Sequence, residues 1–126
     1  MADAIHNMGR TALLVHSLAT GNLDALRSCA DDRFHQQQRA PLFPHMNPAI
    51  EAAFASGAVY ACLSGAGPSI IALVPGRRGD TALLAEDEQL GARVGKAMLE
   101  AATAAGVPGR VFVTQPSGVG AQIVDA

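Results

Sequence analysis

The chain has 126 residues and a mass of 12.9 kDa, the size of one average domain. Its hydrophobic fraction of 49% and charged fraction of 16% exclude an intrinsically disordered chain. The net charge of -2, without a basic stripe or an aromatic platform, predicts no nucleic-acid partner. The apolar runs are too short to span a bilayer and no signal peptide pattern is visible, so we expect a cytoplasmic protein without a membrane partner.

Helical patterns occupy the first half of the chain. Apolar residues at helical spacing predict a helix over residues 3–19, which Gly21 ends. A second helix is predicted over residues 23–33, and prolines exclude a continuous helix through residues 36–44. An Asn-Pro start predicts a further helix over residues 48–56.

The second half alternates apolar strands with one long helix. Its predicted elements are strands over residues 59–63 and 69–74, a polar turn over residues 77–80, a helix over residues 86–105, and strands over residues 110–114 and 120–124. Short connections between strands favour antiparallel pairing. The element order therefore predicts an α+β sandwich, in which helices cover one face of an antiparallel sheet.

A glycine-rich loop between the first two strands is the most distinctive motif. Glycine tolerates positive φ, and successive backbone N–H groups in such a turn can form an anion-binding concavity. No lysine follows the glycines and a strand follows the loop, which excludes a Walker loop and a dinucleotide fingerprint. The alternative is an ordinary hairpin connection. The residues of this glycine loop are Ser64, Gly65, Ala66, Gly67, Pro68 and Ser69.

Two further groups of polar residues could orient a small polar substrate. Asp3, Asn7 and Arg10 are spaced i, i+4 and i+7, which places them on one face of the first helix. Arg39 follows the second predicted helix, and a guanidinium suits bidentate binding of a carboxylate or phosphate. The alternative for both groups is a solvated surface. The four histidines lack the spacing of metal ligands.

Three blocks of this sequence resemble the C-terminal half of the homoserine kinases, a family within the GHMP kinase superfamily. The blocks are residues 3–10 (DAIHNMGR), 32–39 (DRFHQQQR) and 63–69 (LSGAGPS). Their order and separation, with the ending Gly120-Ala121, match the family over nearly the whole chain. The resemblance implies a ferredoxin-like α/β sandwich. Because the glycine motif is shared within the superfamily, another GHMP-type small-molecule kinase stays an alternative.

The resemblance implies ATP-dependent phosphorylation of L-homoserine to O-phospho-L-homoserine, a step in threonine biosynthesis. By matching position, Asn7 and Arg39 would hold the amino-acid part of homoserine. The loop from Ser64 to Ser69 would lie beside the nucleotide phosphates. ATP and Mg²⁺ would be bound mainly by another domain. The family usually has His-Gln-Pro-Tyr-Arg where this chain has HQQQR at residues 35–39, so the resemblance leaves the exact path of that turn open.

The resemblance also bears on domain organisation. The family's main phosphate-binding loop, of the type Pro-x-x-x-Gly-Leu-Gly-Ser-Ser, lies in an N-terminal domain and does not occur in residues 1–126. We therefore expect a single domain that represents the C-terminal domain alone, as a fragment, a truncated product or one subunit of a split enzyme. Alone it should have little or no kinase activity. It should pair with the N-terminal domain or self-associate. The alternative is a noncatalytic ligand-binding or interaction module.

Overall fold

The computed structural model describes residues 1–76, 81–120, 122 and 123. The polar turn predicted at residues 77–80 lies outside the described residues. Five α-helices and two strands are formed in the described part of the chain. They are α1 (Ala2–Thr20), α2 (Leu26–Cys29), α3 (Gln36–Arg39), α4 (Met46–Ala55), β1 (Tyr60–Leu63), β2 (Ile70–Leu73) and α5 (Thr81–Ala104).

The first helix agrees with its prediction and the second does not. Gly21 ends α1 in the left-handed conformation at φ 71°, which suits a residue without a Cβ. The helix predicted over residues 23–33 is wrong, because only the four residues of α2 are helical. The carboxylate of Asp32 accepts hydrogen bonds from backbone N–H groups that follow it, including that of Phe34 at 2.7 Å. This local capping competes with continuation of α2 and starts the next turn instead.

Short helical pieces replace a continuous helix before the sheet, as the prolines predict. Helix α3 is followed by a 3₁₀ turn (Ala40–Leu42) that has Pro41 in its first turn. Helix α4 begins two residues before its predicted start and ends one residue before its predicted end. Gly57, at φ 113°, then leads the chain towards β1.

The two strands form an antiparallel hairpin that packs against α4. Tyr60 pairs with Leu73, and Leu63 pairs with Ile70 at the end next to the glycine loop. Helix α4 contacts both strands and also α5. The core between these elements consists mainly of small side chains: Ala53, Ala58, Ala61 and Val94. The described residues thus form an α+β fold, as predicted.

The last predicted strand pair is not formed in the described part of the chain. Residues 110–114 are not in a strand, and only part of the second segment, residues 120–124, is described. Residues 111 and 113 instead lie along α5. A Cβ built at Gly95 would come within 2.5 Å of Val111 Cγ1, and one at Gly91 within 3.0 Å of Val113 Cγ1. The prediction of a strand at 110–114 is therefore wrong, since this segment packs on a helix.

Candidate functional site

Asp32 is the centre of the polar contacts between α1 and α3. Its Oδ1 accepts a hydrogen bond from Asn7 Nδ2 at 2.6 Å, and Asn7 Oδ1 accepts one from the backbone N–H of Arg33 at 3.1 Å. The carboxylate also accepts from the backbone N–H groups of Phe34, His35 and Gln36, at 2.7, 3.1 and 3.0 Å. Asn7 and Asp32 therefore attach α1 to the start of α3.

These hydrogen bonds determine the charge state of Asp32. Burial raises the pKa of its carboxyl group. The hydrogen bonds from Asn7 and from the backbone N–H groups favour the ionised form and outweigh burial, so the pKa of Asp32 lies below its ordinary value. Asp32 is consequently an anion at neutral pH.

A cleft of about 230 Å³ lies next to this centre. It is bounded by α1, by the segment between α2 and α3, and by β1. Six of its lining residues carry basic, acidic or amide groups: Asn7, Arg10, Asp31, Asp32, His35 and Gln36. Asp31 Oδ2 also lies 3.0 Å from Nε2 of His6. The cleft thus offers both charge signs to a small polar molecule.

Tyr60 and Cys62 of β1 also line the cleft. Burial, and to a smaller degree the neighbouring Cys62 side chain, raises the pKa of Tyr60 above its ordinary value. Burial likewise raises the pKa of the Cys62 thiol. Both groups are therefore neutral near pH 7. Cys62 and Cys29 are free thiols.

The glycine loop turns the hairpin between β1 and β2. Ser64 N–H donates to Ser69 O at 2.8 Å, and Gly67 N–H donates to Ser64 O at 3.1 Å. Gly65 and Gly67 have positive φ values of 55° and 82°. Both glycines of the loop are thus required by the backbone conformation.

Side chains from residues 35–45 hold the carbonyl groups of the glycine loop. His35 Nε2 donates to Gly65 O at 2.7 Å, and Arg39 Nη1 donates to Ala66 O at 3.0 Å. His45 Nε2 donates to Pro68 O at 2.8 Å. One face of the loop is therefore bound to the preceding segment through its carbonyl oxygens.

The loop also has backbone donors at Gly65 and Ala66. Among the described residues, none accepts a hydrogen bond from the N–H groups of Gly65 or Ala66. Both residues are exposed, and a Cβ built at Gly65 would meet nothing within 4 Å. This arrangement fits an incoming anion such as a phosphate group. Within the described ranges, no cluster of three or more His, Cys, Asp or Glu residues could hold a metal ion.

The structure separates the predicted site residues into two connected places. Asn7 and Arg10 line the cleft, whereas Arg39 lies at the glycine loop and Asp3 does not line the cleft. His35 joins the two places, because it lines the cleft and contacts the loop carbonyl of Gly65.

Sequence reasoning missed the supporting roles of three side chains: Asp32, Gln36 and His45. Gln36 Oε1 accepts the N–H of Leu63 at 2.6 Å, and its Nε2 donates to Ala30 O at 3.0 Å. Asp32 was detectable as a capping residue ahead of a short helix. The bonds of Gln36 to Leu63 and of His45 to Pro68 had no local signal, because these partners are 27 and 23 residues away in sequence.

An apolar groove runs along the outer side of α1. It has a volume of about 860 Å³ and includes Met8, Val15 and Phe34 among its lining residues. These three side chains are half or more exposed. None of the helices in the described part of the chain is long and apolar enough to cross a membrane.

Comparison with known proteins gives a consistent family. The model of the family described as GHMP kinases C terminal matches residues 12–102. A homoserine kinase of Desulfitobacterium hafniense is 35% identical over 98% of this chain and 37% of its own length. A homoserine kinase of Thermus thermophilus is 46% identical over 65% of this chain and 27% of its own length.

A solved structure agrees with these sequences. The crystal structure of homoserine kinase from Cytophaga hutchinsonii superposes with a TM-score of 0.67 at 25% identity, over 82% of this chain and 30% of that chain. The chain thus spans about a third of the length of the relatives that it matches. The family match over residues 12–102, together with the helices and hairpin described above, means that the chain belongs to the GHMP kinase C-terminal domain family.

Proposed function

We propose that this domain serves an ATP-dependent homoserine kinase, in which it binds L-homoserine and presents the glycine loop to the phosphates of ATP. The observation that carries the proposal is the continuous set of contacts from the cleft to the loop. Asn7 binds Asp32, Asp32 fixes the backbone of His35, and His35 binds the carbonyl of Gly65. A substrate in the cleft would thereby lie next to the loop.

The cleft suits a small amino acid better than a nucleotide. Pockets that enclose drug-sized ligands have volumes of roughly 300–1,000 Å³, and this cleft has about 230 Å³. An ammonium group could bind near the carboxylates of Asp31 and Asp32. Both ends of the Asn7 side-chain amide are hydrogen-bonded within the protein, to Asp32 and to the backbone of Arg33. We therefore propose that Asn7 acts on the substrate chiefly by positioning Asp32.

Arg39 supplies the group that we propose for the substrate carboxylate. Among the described contacts, only its Nη1 is used, on Ala66 O. A guanidinium has five N–H donors, which leaves donors for a bidentate contact with a carboxylate. Arg39 would then bind the loop and the substrate at once.

The second part of the proposal concerns phosphoryl transfer. ATP supplies the phosphoryl group, and Mg²⁺ neutralises charge on the phosphates. The N–H groups of Gly65 and Ala66 would contribute backbone donors there, while the metal and most of the nucleotide would be held by the kinase's other domain. Catalysis of this reaction depends mainly on position and charge, so these residues need not act as acid or base. The reaction belongs to threonine biosynthesis, and we propose the cytoplasm as its place.

A chimaeric kinase tests the proposal. The region of the Desulfitobacterium homoserine kinase that matches this chain would be replaced by residues 1–126, and ATP-dependent phosphorylation of L-homoserine would be measured. We expect activity in the chimaera and little or none in the 126-residue chain alone. A folded chimaera without activity would contradict the proposal and would favour a noncatalytic module.

Arg39→Lys in the chimaera tests the substrate contact. Lysine keeps the charge and loses the planar fork, so a bidentate charge-assisted contact worth about 1.5–3 kcal/mol is weakened. We expect the KM for homoserine to rise at least about tenfold, because about 1.4 kcal/mol corresponds to one decade. The KM for ATP and the melting temperature should change little. A large drop in melting temperature with an unchanged KM would assign Arg39 a structural role alone.

A further inference from the structure

His45 is a buried imidazole whose hydrogen bonding is incomplete. Its side chain is 7% exposed. Its Nε2 donates to Pro68 O at 2.8 Å, whereas its Nδ1 is buried without a hydrogen-bond partner among the described residues. An unsatisfied buried acceptor costs free energy, so packing alone does not favour an imidazole over an apolar side chain here. Compared with an apolar side chain, the imidazole contributes the hydrogen bond to Pro68 O.

His45 is placed so that its side chain reaches Pro68, near the end of the glycine loop. His45 precedes α4, which packs against both strands of the hairpin and against α5. The ring of Phe43, two residues before His45, packs against Gly67: a Cβ built at Gly67 would come within 2.5 Å of Phe43 Cε2. The rings of Phe43 and His45 meet edge to face with centroids 6.1 Å apart. Phe43 and His45, just before α4, thus both contact the glycine loop.

His45 is separate from the groups proposed to meet substrate. It does not line the 230 Å³ cleft. Its bond holds a carbonyl oxygen towards the protein, and the bonds from His35 and Arg39 do the same for Gly65 and Ala66. With these carbonyl groups bound to the protein, the loop's free N–H groups are left for a ligand.

We propose that His45 is a positioning residue for the glycine loop: its Nε2–H holds Pro68 O and thereby fixes the loop in the conformation that presents the N–H groups of Gly65 and Ala66. The purpose of that presentation, contact with a phosphate, rests on the proposed function. The conformational role of His45 does not, and it can be measured without a ligand.

Two substitutions separate the hydrogen bond from the burial of the side chain. In His45→Gln, the side-chain amide nitrogen can occupy the place of Nε2 and donate to Pro68 O. In His45→Asn, the shorter amide reaches only the place of Nδ1 and loses the bond. Both variants bury a polar amide, so a difference between them reports the contact with Pro68.

Amide hydrogen exchange in the 126-residue chain provides the readout. The N–H of Gly67, bonded to Ser64 O, reports the loop. The N–H of Val59, bonded to Leu73 O at the other end of the hairpin, reports the stability of the hairpin as a whole. We expect His45→Asn to accelerate exchange at Gly67 by up to about tenfold relative to Val59, the range of one net hydrogen bond. His45→Gln should stay within about twofold of the unsubstituted chain.

Three outcomes would overturn the role of His45. One is unchanged exchange at Gly67 in His45→Asn. Another is equal acceleration at Gly67 and Val59, which would indicate general destabilisation. The third is identical behaviour of the Asn and Gln variants, which would show that the Nε2 donor does not matter. An inactive chimaera would count against the proposed kinase function alone, because the exchange measurement involves no substrate.

Discussion

Gly65 and Gly67 occupy the same loop and both have positive φ, yet they differ in their surroundings. Open space surrounds the position of a Cβ at Gly65. At Gly67, the same Cβ would meet the ring of Phe43 at 2.5 Å and Leu63 Cδ1 at 3.0 Å. A substitution at Gly65 therefore carries the cost of backbone strain, and one at Gly67 carries that cost together with a steric clash.

Alanine at each glycine tests this difference. We expect Gly65→Ala to lower the free energy of unfolding by about 1 kcal/mol, the cost of a left-handed alanine. Gly67→Ala should lower it by a further ~1–3 kcal/mol because the ring of Phe43 must move. Urea unfolding of the two variants measures the difference. Equal losses of unfolding free energy in the two variants would mean that the ring of Phe43 moves aside without destabilising the fold.

Asp32 makes the stability of the molecule depend on pH. Because its pKa in the folded chain lies below the ordinary value, the carboxylate stabilises the fold at every pH above that ordinary value. This contribution is lost as the pH falls through the folded pKa, where the anion that accepts hydrogen bonds from Asn7 and α3 becomes protonated.

Asp32→Asn should therefore destabilise the chain at pH 7 and matter progressively less towards acid. Urea unfolding across about pH 2 to 7, a range that brackets the ordinary pKa of about 3.9, follows the difference between variant and unsubstituted chain. Asp24→Asn is the control, since Asp24 is exposed and lies outside the cleft and this hydrogen-bond centre. A difference that stays constant with pH would exclude titration of Asp32 as its cause.

At the scale of elements, packing of the C-terminal segment on α5 depends on a helical glycine. Gly95 allows Val111 to approach the helix backbone more closely than a side chain would permit. Gly9 on α1 has nothing within 4 Å of its Cβ position. Both are helix-interior glycines, for which alanine improves helix propensity by about 1 kcal/mol.

The two positions should respond to alanine with opposite signs. Gly9→Ala should raise the free energy of unfolding by about 0.5–1 kcal/mol through propensity alone. Gly95→Ala should lower it, because overpacking typically costs about 1–3 kcal/mol. Adding Val111→Ala to Gly95→Ala should recover part of that loss. Equilibrium unfolding in urea measures the free energy of unfolding of all three variants. A stabilised Gly95→Ala would show that residues 110–113 can move away from α5 without loss of stability.

At the scale of the whole molecule, α1 leaves an apolar face uncovered. Ile5, Met8 and Val15 are 65%, 71% and 62% exposed, and Met8 and Val15 line the 860 Å³ groove. Large exposed apolar patches are typical of interaction surfaces. In a solution of the 126-residue chain, a second copy is the available partner for this face.

We therefore predict self-association of the 126-residue chain through α1. Sedimentation equilibrium should show an average mass that rises with concentration up to ~100 μM, the range of weak contacts. Met8→Lys should shift the equilibrium towards monomer. Leu42→Lys is the matched control, because Leu42 is 68% exposed and lies outside the groove. A monomer at every concentration would contradict the prediction.

Residues near one another in sequence made much of the fold predictable. The apolar spacing in α1 and the prolines before α4 act within one or two turns, and the predicted helices agree with the structure there. The Asn-Pro pair at residues 47 and 48 predicted the helix but not its start, because α4 already begins at Met46. The hairpin was predictable for the same reason, since β1, the glycine loop and β2 are contiguous. The resemblance to the homoserine kinases rested on three contiguous blocks, residues 3–10, 32–39 and 63–69, whose order and separation match that family.

Tertiary structure decided what each element contacts. The apolar stripe of α1 predicted a helix and left its partner open, and in this chain much of the stripe is exposed. Residues 110–114 have the composition of a strand, yet here Val111 and Val113 pack on α5, and the segment pairs with neither described strand. The bonds of Gln36 to Leu63 and of His45 to Pro68 join groups more than twenty residues apart, so no local pattern predicted them. The type of element follows from short-range sterics and hydrogen bonding, whereas its partners follow from the packing of the whole chain.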